Sequence, residues 1–120
     1  MSYRKQSAPS IIPVPGGKRI EEHFGGVATG DETISIARMV APPGWAEPVQ
    51  QPDFDEYTLM VRGRKRIEVD GEVIELVAGE SLLVHRGTRV RYANPFDLEA
   101  EYWSVCTPAF SPDLVNREDG

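Results

Sequence analysis

The feature that most constrains this chain is the way short alternating segments are cut off by turn residues. Apolar and polar residues alternate with a period of two in Thr33–Val40, Glu56–Arg62, Lys65–Val69, Glu72–Leu76, Ser81–His85, Thr88–Tyr92 and Leu98–Cys106. Such alternation puts successive side chains on opposite faces of a strand. Breakers separate the segments: Pro42-Pro43-Gly44, Gly63, Asp70-Gly71, Ala78-Gly79, Arg86-Gly87 and Asn94-Pro95. Strands recurring every ~8–12 residues with turns between them predict an all-β sandwich or barrel. The 11 glycines and 10 prolines suit that architecture and disfavour a helical one. Asp70-Gly71 predicts a two-residue hairpin turn in which both residues take positive φ. The chain of 120 residues fits a single domain, with no internal repeat and no linker.

Composition narrows the partners. Net charge is −6 and the sequence pI about 4.9, which argues against nucleic acid or an anionic membrane as partner, since both attract a basic face. No run of about 18 apolar residues exists, and the N-terminal stretch lacks the apolar core of a secretory signal. One cysteine, Cys106, leaves no internal disulfide; a cytoplasmic location is the expectation. Residues 1–30 read as an extended N-terminal arm, broken by Pro9, Pro13 and Pro15, which is either disordered or laid along a second subunit through Ile11, Ile12 and Val14. Residues 31–110 read as the barrel and 111–120 as a tail, where Ser111 is placed to cap one helical turn.

Two segments resemble the paired motifs of the cupin superfamily. In the first, Pro43-Gly44 is followed by Glu56 and, six residues later, by Gly63; in the second, Gly79, Gly87 and Asn94 fall at the family's spacing, with His85 at a proline position. The likeness spans Ile34 to Cys106 and implies a single-domain, double-stranded β-helix (jelly-roll) barrel. Small ethanolamine-utilization-type cupins are a further likeness. The resemblance also implies where a metal would bind, on three histidines and a glutamate. Gln50, Pro52 and Val90 stand at the three histidine positions, and Glu56 alone remains. Imidazole and carboxylate hold transition metals well and a neutral amide does not. The expectation is therefore no tightly bound cofactor, with Gln50, Asp53 and Glu56 as a weak oxygen site if any divalent cation binds.

The remaining candidates follow from alternation inside the implied barrel. Glu56, Thr58 and Met60 share the inner face of their strand, so Glu56 is a candidate general acid or base, with Tyr92 as its partner. Gln50, Thr58, Met60, Val90, Tyr102 and Ser104 are the expected ligand-binding residues. Arg38 joins them if the isoleucine face of Thr33–Val40 is interior, and is a solvated charge otherwise. His85 is either a proton shuttle or a loop anchor. Arg62-Gly63-Arg64-Lys65-Arg66 reads as a solvated basic run, and Cys106 as a small core residue. The function this supports is a barrel that binds a small organic molecule, as a homodimer. The alternatives are a metal-independent isomerase, lyase or cyclase working through Glu56, and an enzyme with an unconventional weak metal site.

Overall fold

The computed structural model describes residues 2–118. Its strands are β1 (Ser10–Ile12), β2 (Arg19–Phe24), β3 (Ser35–Ala41), β4 (Asp55–Arg62), β5 (Arg64–Val69), β6 (Glu72–Val77), β7 (Ser81–Val84), β8 (Val90–Ala93) and β9 (Ala100–Thr107), followed by one helical turn, α1 (Pro112–Val115). Two antiparallel sheets result, one in the order β1-β2-β3-β9-β4-β7 and the other in the order β6-β5-β8. No helix is long and apolar enough to cross a membrane among the described residues.

The alternation seen in the sequence decides which side chains fill the space between the sheets. On β9, Ala100, Tyr102, Ser104 and Cys106 are buried while the residues between them are partly exposed. The core joins Ala41, Trp45, Met60, Ile67, Leu76, Val84, Val90, Tyr92, Ala100 and Tyr102. A smaller cluster of Phe54, Cys106 and Val115 holds α1 against the barrel. Ser111 caps α1, its hydroxyl accepting from the Asp113 amide at 3.4 Å. Beyond α1, Asn116 and Glu118 continue the docking through bonds to Gln51 and Val49; residues 119 and 120 of the expected tail lie outside the described residues.

Turn chemistry follows the sequence closely. Asp70 and Gly71 take φ of 47° and 85°, and Val69 pairs with Glu72 across the turn. Asn94 is fully buried; its amide donates to the carbonyls of Ala41, Pro42 and Leu98 and accepts from the Phe96 amide. It therefore ties the loop after β3 to the one between β8 and β9. Gly63 turns the chain from one sheet into the other at φ 77°, and a Cβ there would stand 2.4 Å from the Glu99 carbonyl oxygen.

The segment read as an arm, residues 1–30, is folded where it is described. Both β1 and β2 lie within it and extend the large sheet. Polar residues hid β2: Glu22 is buried in mid-strand, its carboxylate accepting from the amides of Val27 at 3.0 Å and Ala28 at 2.8 Å. Backbone donors replace the water that a lone carboxylate would lose.

Gly63→Ala is expected to cost about 3 kcal/mol or more, because left-handed strain adds to contact with backbone that cannot swing away. Gly87→Ala at φ 80°, where a Cβ meets nothing within 4 Å, is expected to cost only the strain, about 1–2 kcal/mol. Urea unfolding of the two variants checks the ranking.

Candidate functional site

A cavity of about 100 Å³ lies beside the core cluster, inside the large sheet. The chain ends help to build it. Ile12, Val14, Pro15 and Lys18 come from the N-terminal segment, and Phe110 and Arg117 from the C-terminal one. Ile20, Ala37, Met39, Trp45 and Phe54 add apolar wall; Gln50, Glu47, Glu56, Ser35, Ser104 and Cys106 add polar groups. The volume suits a small ligand rather than a drug-sized one.

Glu56 and Ser104 meet across the β4–β9 pair, where Thr58 stands opposite Ser104. The Ser104 hydroxyl donates to the Glu56 carboxylate at 2.6 Å. The Tyr92 hydroxyl faces the same carboxylate but finds no hydrogen bond of sound geometry. Burial, with the charge of Glu56 behind it, holds the Tyr92 phenol protonated well above its ordinary range. Cys106 is likewise pushed up by burial and then by Glu56, so it is no thiolate near neutral pH.

Lys65 is the largest departure from the sequence reading. It sits in the run expected to be solvated, yet it is 2% exposed. The turn at Gly63 resets the alternation, so Arg64 and Arg66 face outward while Lys65 and Ile67 face in. Its ammonium lies 3.7 Å from the Tyr102 ring centroid and 4.3 Å from that of Tyr92. Among the described residues no acid comes within ion-pair distance of it. Burial, and next the charge of Lys18, bring its pKa down to about 7, against the opposing pull of Glu56, Glu47 and Cys106. The Lys18 side chain is 6% exposed and lies 4.3 Å above the Trp45 ring and 3.7 Å from Glu47. The Tyr102 hydroxyl faces it but makes no hydrogen bond of sound geometry among the described residues, and burial raises that phenol to about 12.

The other expected residues divide. Gln50, Glu56 and Ser104 line the cavity. Thr58, Met60, Val90 and Tyr102 are buried behind the lining residues, with the Tyr102 hydroxyl against Lys18. Arg38 is turned away: the Ser35, Ala37 and Met39 face of β3 is interior, and Arg38 pairs outside with Glu21 at 3.2 Å and Glu101 at 2.9 Å. It is thus removed from the ligand-binding set. Asp53 is also turned outward, accepting from Asn116 at 2.9 Å, so it does not join Gln50 and Glu56. His85 is exposed, and His23 packs on Trp103 at 5.0 Å. Sequence reasoning missed Lys18, Lys65, Glu47 and Trp45. Lys65 was discoverable, since it shares a strand face with Ile67 and Val69. Lys18 was not, because no pattern places an arm against a cavity.

The family model described as a cupin domain matches residues 37–106. The chain belongs to the cupin family. A curated Myxococcus xanthus relative named endoribonuclease YbeY is 48% identical over 108 residues, 90% of this chain. The chain spans only 37% of that relative's length. Among solved structures, a Streptomyces PAC13 variant with uridine aligns at a TM-score of 0.78 and 14% identity, covering 98% of this chain and 92% of that one. An RmlC-like cupin from Shewanella frigidimarina aligns at 0.76 and 16% identity, covering 95% and 96%. These likenesses carry the fold. The family's metal positions hold a donor set of one amide and one carboxylate, Gln50 and Glu56, with Pro52 and Val90 donating no side-chain atom. This set does not fit a tightly held transition metal. No group of three His, Cys, Asp or Glu side chains converges on a metal position among the described residues.

Burying Lys65 sets a pH dependence. Its pKa is about 7 folded against 10.5 unfolded, so the unfolded chain holds more protons between those values. Stability contributed by this group therefore rises with pH from about 7 toward 10.5. The expected result is that Lys65→Met is more stable than wild type at pH 7, and that this advantage shrinks by about 2 kcal/mol at pH 9. Paired urea titrations cancel the contributions of Tyr92, Tyr102 and Cys106; an advantage that does not change with pH would show that Lys65 is not a shifted lysine.

Proposed function

We propose that this cupin binds a small organic molecule in the cavity between β3, β4 and β9. The supporting observation is a largely apolar chamber in which a few polar groups converge, with two tyrosine hydroxyls beside it lacking partners. A buried hydroxyl without a partner costs about 1–3 kcal/mol, a cost that a ligand or a trapped water relieves. Thermal-shift screening of small organic compounds tests the reading: binders should raise Tm in wild type and lose most of that shift in Met39→Trp, which fills the cavity. Binders that act equally on both proteins would place the site elsewhere.

A second reading is acid–base catalysis on Glu56, favoured by its contact with Ser104 and by the Tyr92 hydroxyl facing it. Under this reading Glu56 moves a proton on a bound substrate and Tyr92, kept protonated, donates to the developing charge. Glu56→Gln then leaves ligand binding within several-fold of wild type while turnover of an identified substrate falls by about 100-fold or more. A pure binding protein shows no turnover in either form. The name of the Myxococcus relative raises an RNA-directed role, but a net charge of −6 gives an RNA backbone little to hold.

The homodimer belongs to the same proposal. Tyr57, Leu59 and Val61 are exposed on the outer face of β4, beside Trp103 and Val105 of β9. A second copy would cover this face. Light scattering at micromolar concentration should give twice 13.3 kDa, and Leu59→Glu should return the monomer; a monomeric mass for wild type contradicts it.

A further inference from the structure

Two buried lysine side chains and the Tyr102 hydroxyl are left over once the acid–base reading has used Glu56, Ser104 and Tyr92. Lys18 lines the cavity with its side chain 6% exposed, Arg117 lines it from the solvent side, and Lys65 lies behind, against the Tyr102 ring. Lys18 and Arg117 share one acid, Glu47, at 3.7 and 3.5 Å. On the outer surface the ion pairs run from 2.6 to 3.4 Å, each a little shorter than these two. Lys65 has no acid within ion-pair distance among the described residues, and Tyr102, 0% exposed, has a hydroxyl with no partner next to the Lys18 ammonium. Glu22 is satisfied by backbone amides, and Glu56 takes the Ser104 hydroxyl. The region thus offers donors with loose or missing acceptors. Charge-assisted hydrogen bonds are the strong ones, so the complement of such a site is an oxyanion.

We propose that the molecule bound in the barrel is a small organic carboxylate, held by the Lys18 ammonium and the Tyr102 hydroxyl, with Lys65 supplying positive potential from behind the Tyr102 ring. This deepens the ligand-binding reading and rests on it. The apolar body of the ligand packs on Trp45, Met39 and Ile20, all of which border the same chamber. Lys18 is preset for this role. It is pinned over Trp45 before the ligand arrives, and Glu47, Tyr102 and Glu56 together keep it protonated despite burial. Its loose contact with Glu47 can exchange for a carboxylate without exposing either charge to apolar wall. Lys65, clamped between two rings, stays in place and adds its charge to the field below about pH 7, where it is protonated.

Isothermal titration of the whole chain with matched probes tests this: isobutyrate and benzoate, their amides isobutyramide and benzamide, and the amines isobutylamine and benzylamine. The acids are expected to bind at least 10-fold more tightly than the amides, and the amines not at all. Lys18→Met should erase the preference for acid over amide while keeping the amide affinity, Lys18→Arg should retain it, and Tyr102→Phe should reduce acid binding about 3–10-fold with the thermal unfolding of each variant recorded alongside. Amides or amines that bind as well as the acids overturn the carboxylate assignment and leave the ligand-binding barrel standing. Failure of every probe, with Met39→Trp as the filled-cavity control, overturns both.

Discussion

An ammonium group held between two aromatic rings inside a barrel, with no carboxylate in ion-pair reach among the described residues, is the constraint on which the site depends. A free-standing buried charge is among the most costly features a fold can carry. Here the cost is reduced in two ways. The faces of Tyr92 and Tyr102 give the Lys65 ammonium their negative quadrupoles, each contact contributing up to about 2 kcal/mol when desolvated, and burial lets the group shed its proton near neutral pH. The same rings turn their hydroxyls toward Glu56 and Lys18, so one aromatic pair joins the cationic and the acidic sides of the chamber.

The rest of the architecture is arranged around that interior. Strand alternation delivers Glu56, Lys65, Tyr92, Tyr102 and Ser104 inward from four different strands, while Arg38, Arg62, Arg64, Glu99 and Glu101 stay outside in surface ion pairs. The chain ends then finish the chamber. The segment before β2 brings Ile12, Val14 and Lys18, and the segment after α1 brings Arg117. The polar interior opposes the barrel's own stability, and the segments before β2 and after α1 complete its walls.

The fold was legible in the sequence because two local signals agreed. Alternation marked seven of the nine strands, and Asp70-Gly71, Gly63 and Asn94 marked the turns by chemistry that few other residues supply. The motif spacing then gave the family. The site was legible only in part. Glu56, Gln50 and Ser104 were reached through alternation and motif position. Lys65 was passed over because it stands among arginines, and the charge of the run outweighed its phase; Gly63 resets that phase, which is visible once β5 is counted from the glycine. Arg38 failed in the opposite sense, since Ile34 and Ile36 made its face look interior when Ser35 and Ala37 line the chamber. Lys18 and Trp45 lie in segments without periodicity. Their positions depend on tertiary docking of the loops, which no local pattern encodes.

The most direct measurement is an NMR titration of Lys65 itself, following its side-chain Cε and Nζ resonances with pH, assigned through Lys65→Arg. An ammonium buried away from any acid of the described residues should titrate with a midpoint near 7, far below its ordinary 10.5. A midpoint at the ordinary 10.5 or above would mean that Lys65 reaches solvent or a carboxylate, and the account of a cationic chamber awaiting an acceptor would be wrong.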